Sequence, residues 1–203
     1  FLMICMSSNK SSKLSGSIVV PGDKSISHRA LILGSLVTGK IKIKNLLESD
    51  DVIATAEALK TLGVKINKKN NFWEIFGNGI GNFFGSNFEL DMGNSGTGSR
   101  LIMGLIAGSD VEATILGDES LSKRPMKRII LPLLKTGATF EDPNKNNLPI
   151  KIKGSKIPLP IEYISPVASA QIKSSILLSG LSSTGDTTVI EPSLSRDHTE
   201  RML

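Results

Sequence analysis

Pro21-Gly22-Asp23-Lys24-Ser25-Ile26-Ser27-His28-Arg29 is the stretch on which the fold of this chain turns. An apolar, β-branched run, Ser17-Ile18-Val19-Val20, reads as a strand and leads into Pro21-Gly22, a pair that opens a turn. From Ile26 the apolar residues take helical spacing, at Ile26, Ala30, Leu33 and Val37. Lys24, Ser25 and Arg29 therefore stand at a helix start, where the first backbone N–H groups have no partner of their own. Two cations and a hydroxyl beside those donors suit an anion such as a phosphate. Solvated residues on a surface helix would read the same way, so the weight falls on recurrence elsewhere in the chain.

The pattern recurs. After the first helix, Lys40–Lys44 reads as a strand with Ile41 and Ile43 on one face. Ser49-Asp50 caps a helix that buries Val52, Ala56 and Leu59, Gly63 ends it, and Val64-Lys65-Ile66 starts another strand. A second round opens a helix over Gly93–Arg100, followed by a strand at Val111–Leu116. Ser122 then caps a helix with Pro125 in its first turn and Met126, Ile129, Ile130, Leu133 and Leu134 on its buried side; Pro132 should kink it. Gly137 ends that helix and Ala138–Glu141 is extended. A third round has Ser169–Leu181 as helix, Thr187–Ile190 as strand and Ser195 as a cap. Landmarks repeat at near-constant offsets: Arg29 to Arg100 is 71 residues, Arg100 to Lys173 is 73, Asp50 to Lys123 and Lys123 to Arg196 are each 73, and Gly63 to Gly137 is 74. Three β-α-β-α-β-type units, about 21–85, 86–155 and 156–203, are therefore expected, each turning a cation-bearing helix start toward a common centre.

Bulk properties narrow the function classes. Among 203 residues the net charge is only +5, so a protein handling small phosphorylated metabolites fits as well as a nucleic-acid binder. Aromatic residues make up 4%, a small stock for stacking bases. The single Cys5 excludes an internal disulfide and a CxxC knuckle. No apolar run approaches the ~20 residues of a membrane helix. The opening Phe1-Leu2-Met3-Ile4-Cys5-Met6 has no signal-peptide character, and Met3 or Met6 is a candidate start; the chain reads as a fragment.

Two further stretches carry anion chemistry. Gly93-Asn94-Ser95-Gly96-Thr97-Gly98 lets backbone amides approach a ligand and adds side-chain donors, but lacks the Gly-Lys-Ser/Thr of a P-loop. A Gly-rich turn that merely caps a helix would share this composition. Asp118-Glu119-Ser120-Leu121-Ser122-Lys123-Arg124-Pro125 puts Lys123 and Arg124 at an expected helix start, where cations oppose the macrodipole unless an anion sits nearby. Gly77-Asn78-Gly79-Ile80-Gly81-Asn82 fails as a dinucleotide loop, because position 82 is Asn and no helix follows. His28 and His198 lie in different units without an HExxH spacing, so no metal site is expected, and His28 reads as a packing residue of the first helix. A Ser25–His28 nucleophile pair lacks any third member.

These motifs, with Ser169-Ala170-Gln171-Ile172-Lys173 and Ser195-Arg196-Asp197-His198-Thr199-Glu200, resemble those of EPSP synthase (3-phosphoshikimate 1-carboxyvinyltransferase), in the form found in its class II bacterial branch. The match runs in order from about residue 12 to Leu203. The resemblance implies an α/β enzyme of two domains, each of three repeated βαβαββ units around a pseudo-threefold axis, an inside-out α/β barrel. Residues 21–203 would be one substrate-binding domain, and residues 1–20 a strand segment that packs with the other. It implies transfer of the enolpyruvyl group of phosphoenolpyruvate to the 5-hydroxyl of shikimate 3-phosphate, with release of phosphate and no cofactor or metal.

By position, Lys24 would touch both substrates and act as the catalytic residue on this chain. Ser25, Arg29, Ser169, Ala170, Gln171 and Arg196 would hold shikimate 3-phosphate; Asn94, Gly96, Arg124 and Gln171 would hold phosphoenolpyruvate. The acid and base of the family belong to the other half. In relatives a methyl at the position of Gly96 crowds the inhibitor glyphosate, so a glycine here implies sensitivity. Partners would be the two phosphate esters, with no nucleic acid and no membrane, in a cytoplasmic enzyme that is monomeric at full length. Two other readings stay open: the sister enzyme acting on UDP-N-acetylglucosamine, which uses a Cys in an Arg-Cys-Gly-type loop, and a non-catalytic phosphate- or RNA-binding domain of the same fold.

Overall fold

A computed structural model describes residues 6–11 and 13–203; Met3 and Cys5 lie outside them. The chain is α/β. Helix α1 (Lys24–Leu36) starts where the Asp23 carboxylate accepts the Ile26 N–H at 2.8 Å, and stops where Val37 turns extended. It is followed by β1 (Thr38–Lys44), α2 (Asp50–Thr61), β2 (Lys65–Lys68) and β3 (Phe72–Asn78). Asp50 and Asp51 in the first turn of α2 and Lys60 in its last complement the macrodipole. Gly63, at φ +90°, supplies the left-handed turn that ends it. The three strands form an antiparallel sheet in the order β1-β3-β2, with Trp73, Ile75 and Ile66 facing inward.

A four-stranded sheet comes next, ordered β4-β5-β7-β6, from β4 (Phe84–Asp91), β5 (Asp110–Leu116), β6 (Thr139–Phe140) and β7 (Ile150–Lys153). Its β4–β5 pair is parallel and is joined by α3 (Gly96–Ala107), while α4 (Glu119–Ser122) and α5 (Lys127–Lys135) lead on to β6. The last sheet is a parallel pair, β8 (Glu162–Ile164) and β9 (Thr188–Ile190), joined by α6 (Ala170–Gly180), and α7 (His198–Met202) follows. No described sheet closes on itself.

The centre is helical. Every residue of α3 except Thr97 is buried, and α1 and α6 bury most of theirs. These helices carry serines on faces that a two-layer protein would keep apolar. The hydroxyls satisfy themselves on the preceding turn: Ser35 donates to Ile32 O at 2.6 Å, Ser99 to Gly96 O at 3.1 Å and Ser175 to Ile172 O at 2.9 Å. Their small side chains also let helices approach closely.

Four expectations need correction. The apolar stripe Ile26-Ala30-Leu33-Val37 is not the buried face of α1: Ile26 and Val37 are exposed, while Ser27, His28, Arg29, Leu31, Ile32 and Ser35 are buried. A helix enclosed by helices on several sides does not reveal its inner face by apolar spacing. Ser17–Val20 forms no strand, and its apolar side chains are exposed, because nothing in the described residues pairs with it. Ser122 caps no helix. Asp118 caps α4 one turn earlier, accepting from Leu121 N at 2.7 Å, and Pro125, which disfavours helical backbone at Arg124, delays α5 to Lys127. Lys123 thus sits at a helix C-terminus, where a cation is favourable, and pairs with Glu119. Ser195 is likewise no cap; its hydroxyl donates to Glu191, and α7 begins at His198.

Candidate functional site

Helices α3 and α6 run side by side in the same direction. Arg100 meets Gln171; a Cβ on Gly104 would come 2.4 Å from Ser175 O, and one on Gly108 2.7 Å from Ser179 O. The pairs advance together by four residues, so both N-termini lie at one end of the pair. Each is capped by its own serine: Ser95 Oγ accepts from Gly98 N at 3.2 Å, and Ser169 Oγ from Ile172 N at 3.5 Å.

At that end the side chains form one connected group. Arg124 Nη2 donates to Asn94 Oδ1 at 2.5 Å, and Asn94 Nδ2 donates to Asp118 Oδ2 at 2.7 Å. Gly96 leaves room for two guanidinium groups: a Cβ there would lie 3.0 Å from Arg124 Nη1 and 3.2 Å from Arg100 Nη1. Arg100 is buried and meets no carboxylate among the described residues. It donates to Gly96 O at 3.2 Å, Gln171 Oε1 at 3.0 Å and Pro125 O at 3.2 Å, and its Nε has no partner. Burial, with Arg128 and Arg124 adding like charge, pushes its pKa down to about 10. Gln171 completes the link, donating from Nε2 to Thr97 Oγ1 at 3.0 Å. A buried cation balanced only by neutral oxygens is a place where an anion is welcome.

A second group gathers around the start of α1. Arg196 Nη1 donates to Ser25 Oγ at 3.2 Å. Arg29, also buried, donates from Nε to Thr199 Oγ1 and from Nη2 to Ser174 Oγ, each at 2.7 Å, and from Nη1 to Ser25 O at 3.0 Å. Burial and the neighbouring Arg196 lower its pKa, against an opposing pull from Glu200. Lys24, half exposed, pairs with Asp51 of α2. His28 is wholly buried; Thr55 Oγ1 donates to Asp51 O, so it accepts from His28 Nδ1 at 2.8 Å, and His28 Nε2 has no partner among the described residues. Burial lowers the imidazole to about pKa 4 and keeps it neutral, as a packing residue.

The two groups share a depression of about 470 Å³, lined by Ala168, Ser169, Ala170, Gln171, Leu194, Ser195 and Arg196. Gln171 belongs both to this wall and to the Arg100–Thr97 link. The structure thus brings together Asn94, Gly96, Arg124 and Gln171, and separately Ser25, Arg29 and Arg196, with Ser169, Ala170 and Gln171 between. Lys24 stands at the margin, joined through its neighbour Ser25. A larger depression, about 550 Å³, opens at the opposite ends of α3 and α6, between Gly108 and Ser182. Among the described residues that line it Lys156 is the only cation, so it offers an anion less than the first depression does.

Sequence reasoning passed over Arg100 as a ligand neighbour, although its place in the 71-residue offset from Arg29 was the available signal. It also missed Thr199 and Ser174, whose hydroxyls only the fold carries to Arg29. Among the described residues no cluster of His, Cys, Asp and Glu could hold a metal ion, and no helix is long and apolar enough to cross a membrane.

Known proteins share this sequence pattern and fold. The family model for EPSP synthase (3-phosphoshikimate 1-carboxyvinyltransferase) matches residues 8–203. The 3-phosphoshikimate 1-carboxyvinyltransferase of Parvibaculum lavamentivorans is 52% identical over 199 residues, covering 98% of this chain and 44% of that protein. The Bartonella henselae protein of the same name is 53% identical over 200 residues, covering 98% of this chain and 45% of its own length. Among solved structures, EPSP synthase from Acinetobacter baumannii superposes with a TM-score of 0.86 at 43% identity, over 93% of this chain and 43% of that one. The chain spans less than half the length of these relatives.

Proposed function

The chain belongs to the EPSP synthase family, and we propose that it forms one substrate-holding domain of an enzyme that joins phosphoenolpyruvate to the 5-hydroxyl of shikimate 3-phosphate and releases phosphate. One observation carries this: buried and half-buried guanidinium groups without carboxylate partners, Arg100 and Arg124, meet two helix N-termini beside a depression that ends on Arg196. Two small phosphate esters side by side would supply the missing negative charge.

In this reading Asn94, Gly96, Arg124 and Gln171 hold phosphoenolpyruvate. Ser25, Arg29, Ser169, Ala170, Gln171 and Arg196 hold shikimate 3-phosphate. Lys24 would reach both, released from its pair with Asp51 when a ligand offers a better anion. The chain's work is to bind, orient and neutralise, which brings the 5-hydroxyl and the enol carbon into reach of each other and withdraws charge from the departing phosphate. The acid and base that move protons would come from the rest of the enzyme. Three βαβαββ units around a pseudo-threefold axis are the finer form of the fold we infer for residues 21–203, and three separate sheets around central helices are compatible with it. Residues 1–20 would pack against a second domain, which suits the exposed Ile18 and Val19. A cytoplasmic, monomeric enzyme completes the proposal. The relatives carry the shikimate name, which favours this branch over the UDP-N-acetylglucosamine reading.

Calorimetric titration of this chain with each ester tests ligand binding. Turnover is tested in a chimera in which the chain replaces the matching part of the Parvibaculum lavamentivorans enzyme. Phosphate should appear from phosphoenolpyruvate only when shikimate 3-phosphate is present. A folded chimera that binds neither ester and releases no phosphate refutes the assignment.

A further inference from the structure

The segment that carries Arg196 is held in an unusual way. Among the described residues, positions 192–196 make no backbone–backbone hydrogen bond, so side chains alone fix this wall of the depression. Arg196 reaches Ser25, and Ser195 Oγ donates to Glu191 Oε2 at 2.8 Å. Glu191 also serves the opposite wall, where its Oε1 accepts the Ser169 backbone N–H at 2.9 Å. One carboxylate therefore spans both sides of the depression.

Glu191 is itself held by Lys173, whose ammonium lies 2.8 Å from Glu191 Oε2 and 2.6 Å from Glu200 Oε1. Lys173 and Glu191 are each only 11% exposed at the side chain. Glu200 sits on α7 beside Thr199, the residue that accepts from Arg29. A single ammonium thus ties α6, the 191–196 segment and α7 together, and touches none of the residues assigned to ligands.

We propose that Lys173 is a positioning residue: by keeping Glu191 charged and in place, it sets the separation between the Ser169 and Arg196 walls that the phosphate of shikimate 3-phosphate enters. The identity of that ester rests on the function proposed above. The chemistry of the clamp does not. Burial by itself would raise the Glu191 carboxyl, and the hydrogen bonds from Lys173, Ser195 and the Ser169 N–H hold it below the usual carboxylate range. Burial also works against the charge of Lys173, yet Glu191 and Glu200 lift its pKa above the ordinary lysine value. Remove the ammonium and Glu191 keeps its burial but loses its strongest partner. A protonated carboxyl has less acceptor capacity for Ser169 and Ser195, so the two walls come apart.

Lys173→Met and Lys173→Arg in this chain test the proposal by two NMR readouts. In the first, the Glu191 carboxyl carbon is titrated. It should protonate below the ordinary carboxylate range in the parent and in Lys173→Arg, and above it in Lys173→Met. In the second, each ester is titrated separately. Lys173→Met should weaken shikimate 3-phosphate at least tenfold and leave phosphoenolpyruvate unchanged, and Lys173→Arg should restore binding. If Lys173→Met does not fold, Glu191→Gln should give the same selective loss. A low Glu191 pKa in Lys173→Met, or equal weakening of both esters, overturns the proposal. If the titration behaves as stated while the parent binds neither ester, the clamp stands and the substrate assignment falls.

Discussion

Gly96 and Gly104 lie about two turns apart on α3, and replacing each by alanine should have different consequences. At Gly104 a Cβ would come 2.4 Å from Ser175 O, 2.6 Å from its Cα and 2.9 Å from its carbonyl carbon, where ordinary contact begins at 3.4 Å. These are backbone atoms of a buried helix, so α3 and α6 must separate by about 1 Å to admit the methyl. Overpacking of this kind costs roughly 1–3 kcal/mol, and the helix propensity of alanine returns up to about 1 kcal/mol. A net loss of about 1–2 kcal/mol, the middle of the range these two figures span, lowers the melting temperature of a chain this size by roughly 2–8 °C. At Gly96 the nearest atoms are guanidinium tips, Arg124 Nη1 at 3.0 Å and Arg100 Nη1 at 3.2 Å; the half-buried Arg124 can move aside, and the bonded Arg100 has to give only a few tenths of an ångström. Gly96→Ala should therefore melt with the parent, while the shift of Arg124 weakens binding of phosphoenolpyruvate and of glyphosate. Scanning calorimetry with and without ligand reads both. A Gly104→Ala variant as stable as the parent, or a Gly96→Ala variant that loses more than Gly104→Ala, would refute the parallel close approach of α3 and α6.

Acid stability follows from His28. Its imidazole titrates near 4 when folded and near 6.5 when unfolded, so the unfolded chain binds the extra proton first as pH falls. The contribution is whole above about pH 6.5 and is lost on the way to pH 4, of the order of 3 kcal/mol for one fully buried ring. Urea midpoints measured across that range should fall with pH, and His28→Gln should flatten the slope; an equally steep slope in the variant excludes the ring as its source. Lys24→Ala breaks only a half-exposed pair with Asp51 and should leave thermal stability unchanged while weakening both phosphate esters. Parental affinity for both in that variant would remove Lys24 from the site.

Much of the architecture is written locally. Asp23, Ser95 and Ser169 announce helix starts because each side chain caps its own first turn, and Gly63 and Gly137 mark helix ends because their backbones sit at φ +90° and +95°. The candidate anion-binding stretches are legible for the same reason: donors, cations and glycines adjacent in sequence stay adjacent at a helix start. What the chain could not declare is which face of a central helix is inside. Apolar spacing chose Ile26 and Val37, yet α1 turns Ser27, His28 and Arg29 inward, because partners on several sides bond Ser27 Oγ, His28 Nδ1 and the Arg29 guanidinium. Nor could it declare the pairs that make the site. Arg100 with Gln171 and Arg29 with Thr199 are 71 and 170 residues apart, and only the packing of α3 on α6, and of α7 on α1, brings them within hydrogen-bond reach. Local chemistry acts over a turn or two of chain, whereas a candidate site assembled from four helices and the loops between them depends on how closely those helices can approach.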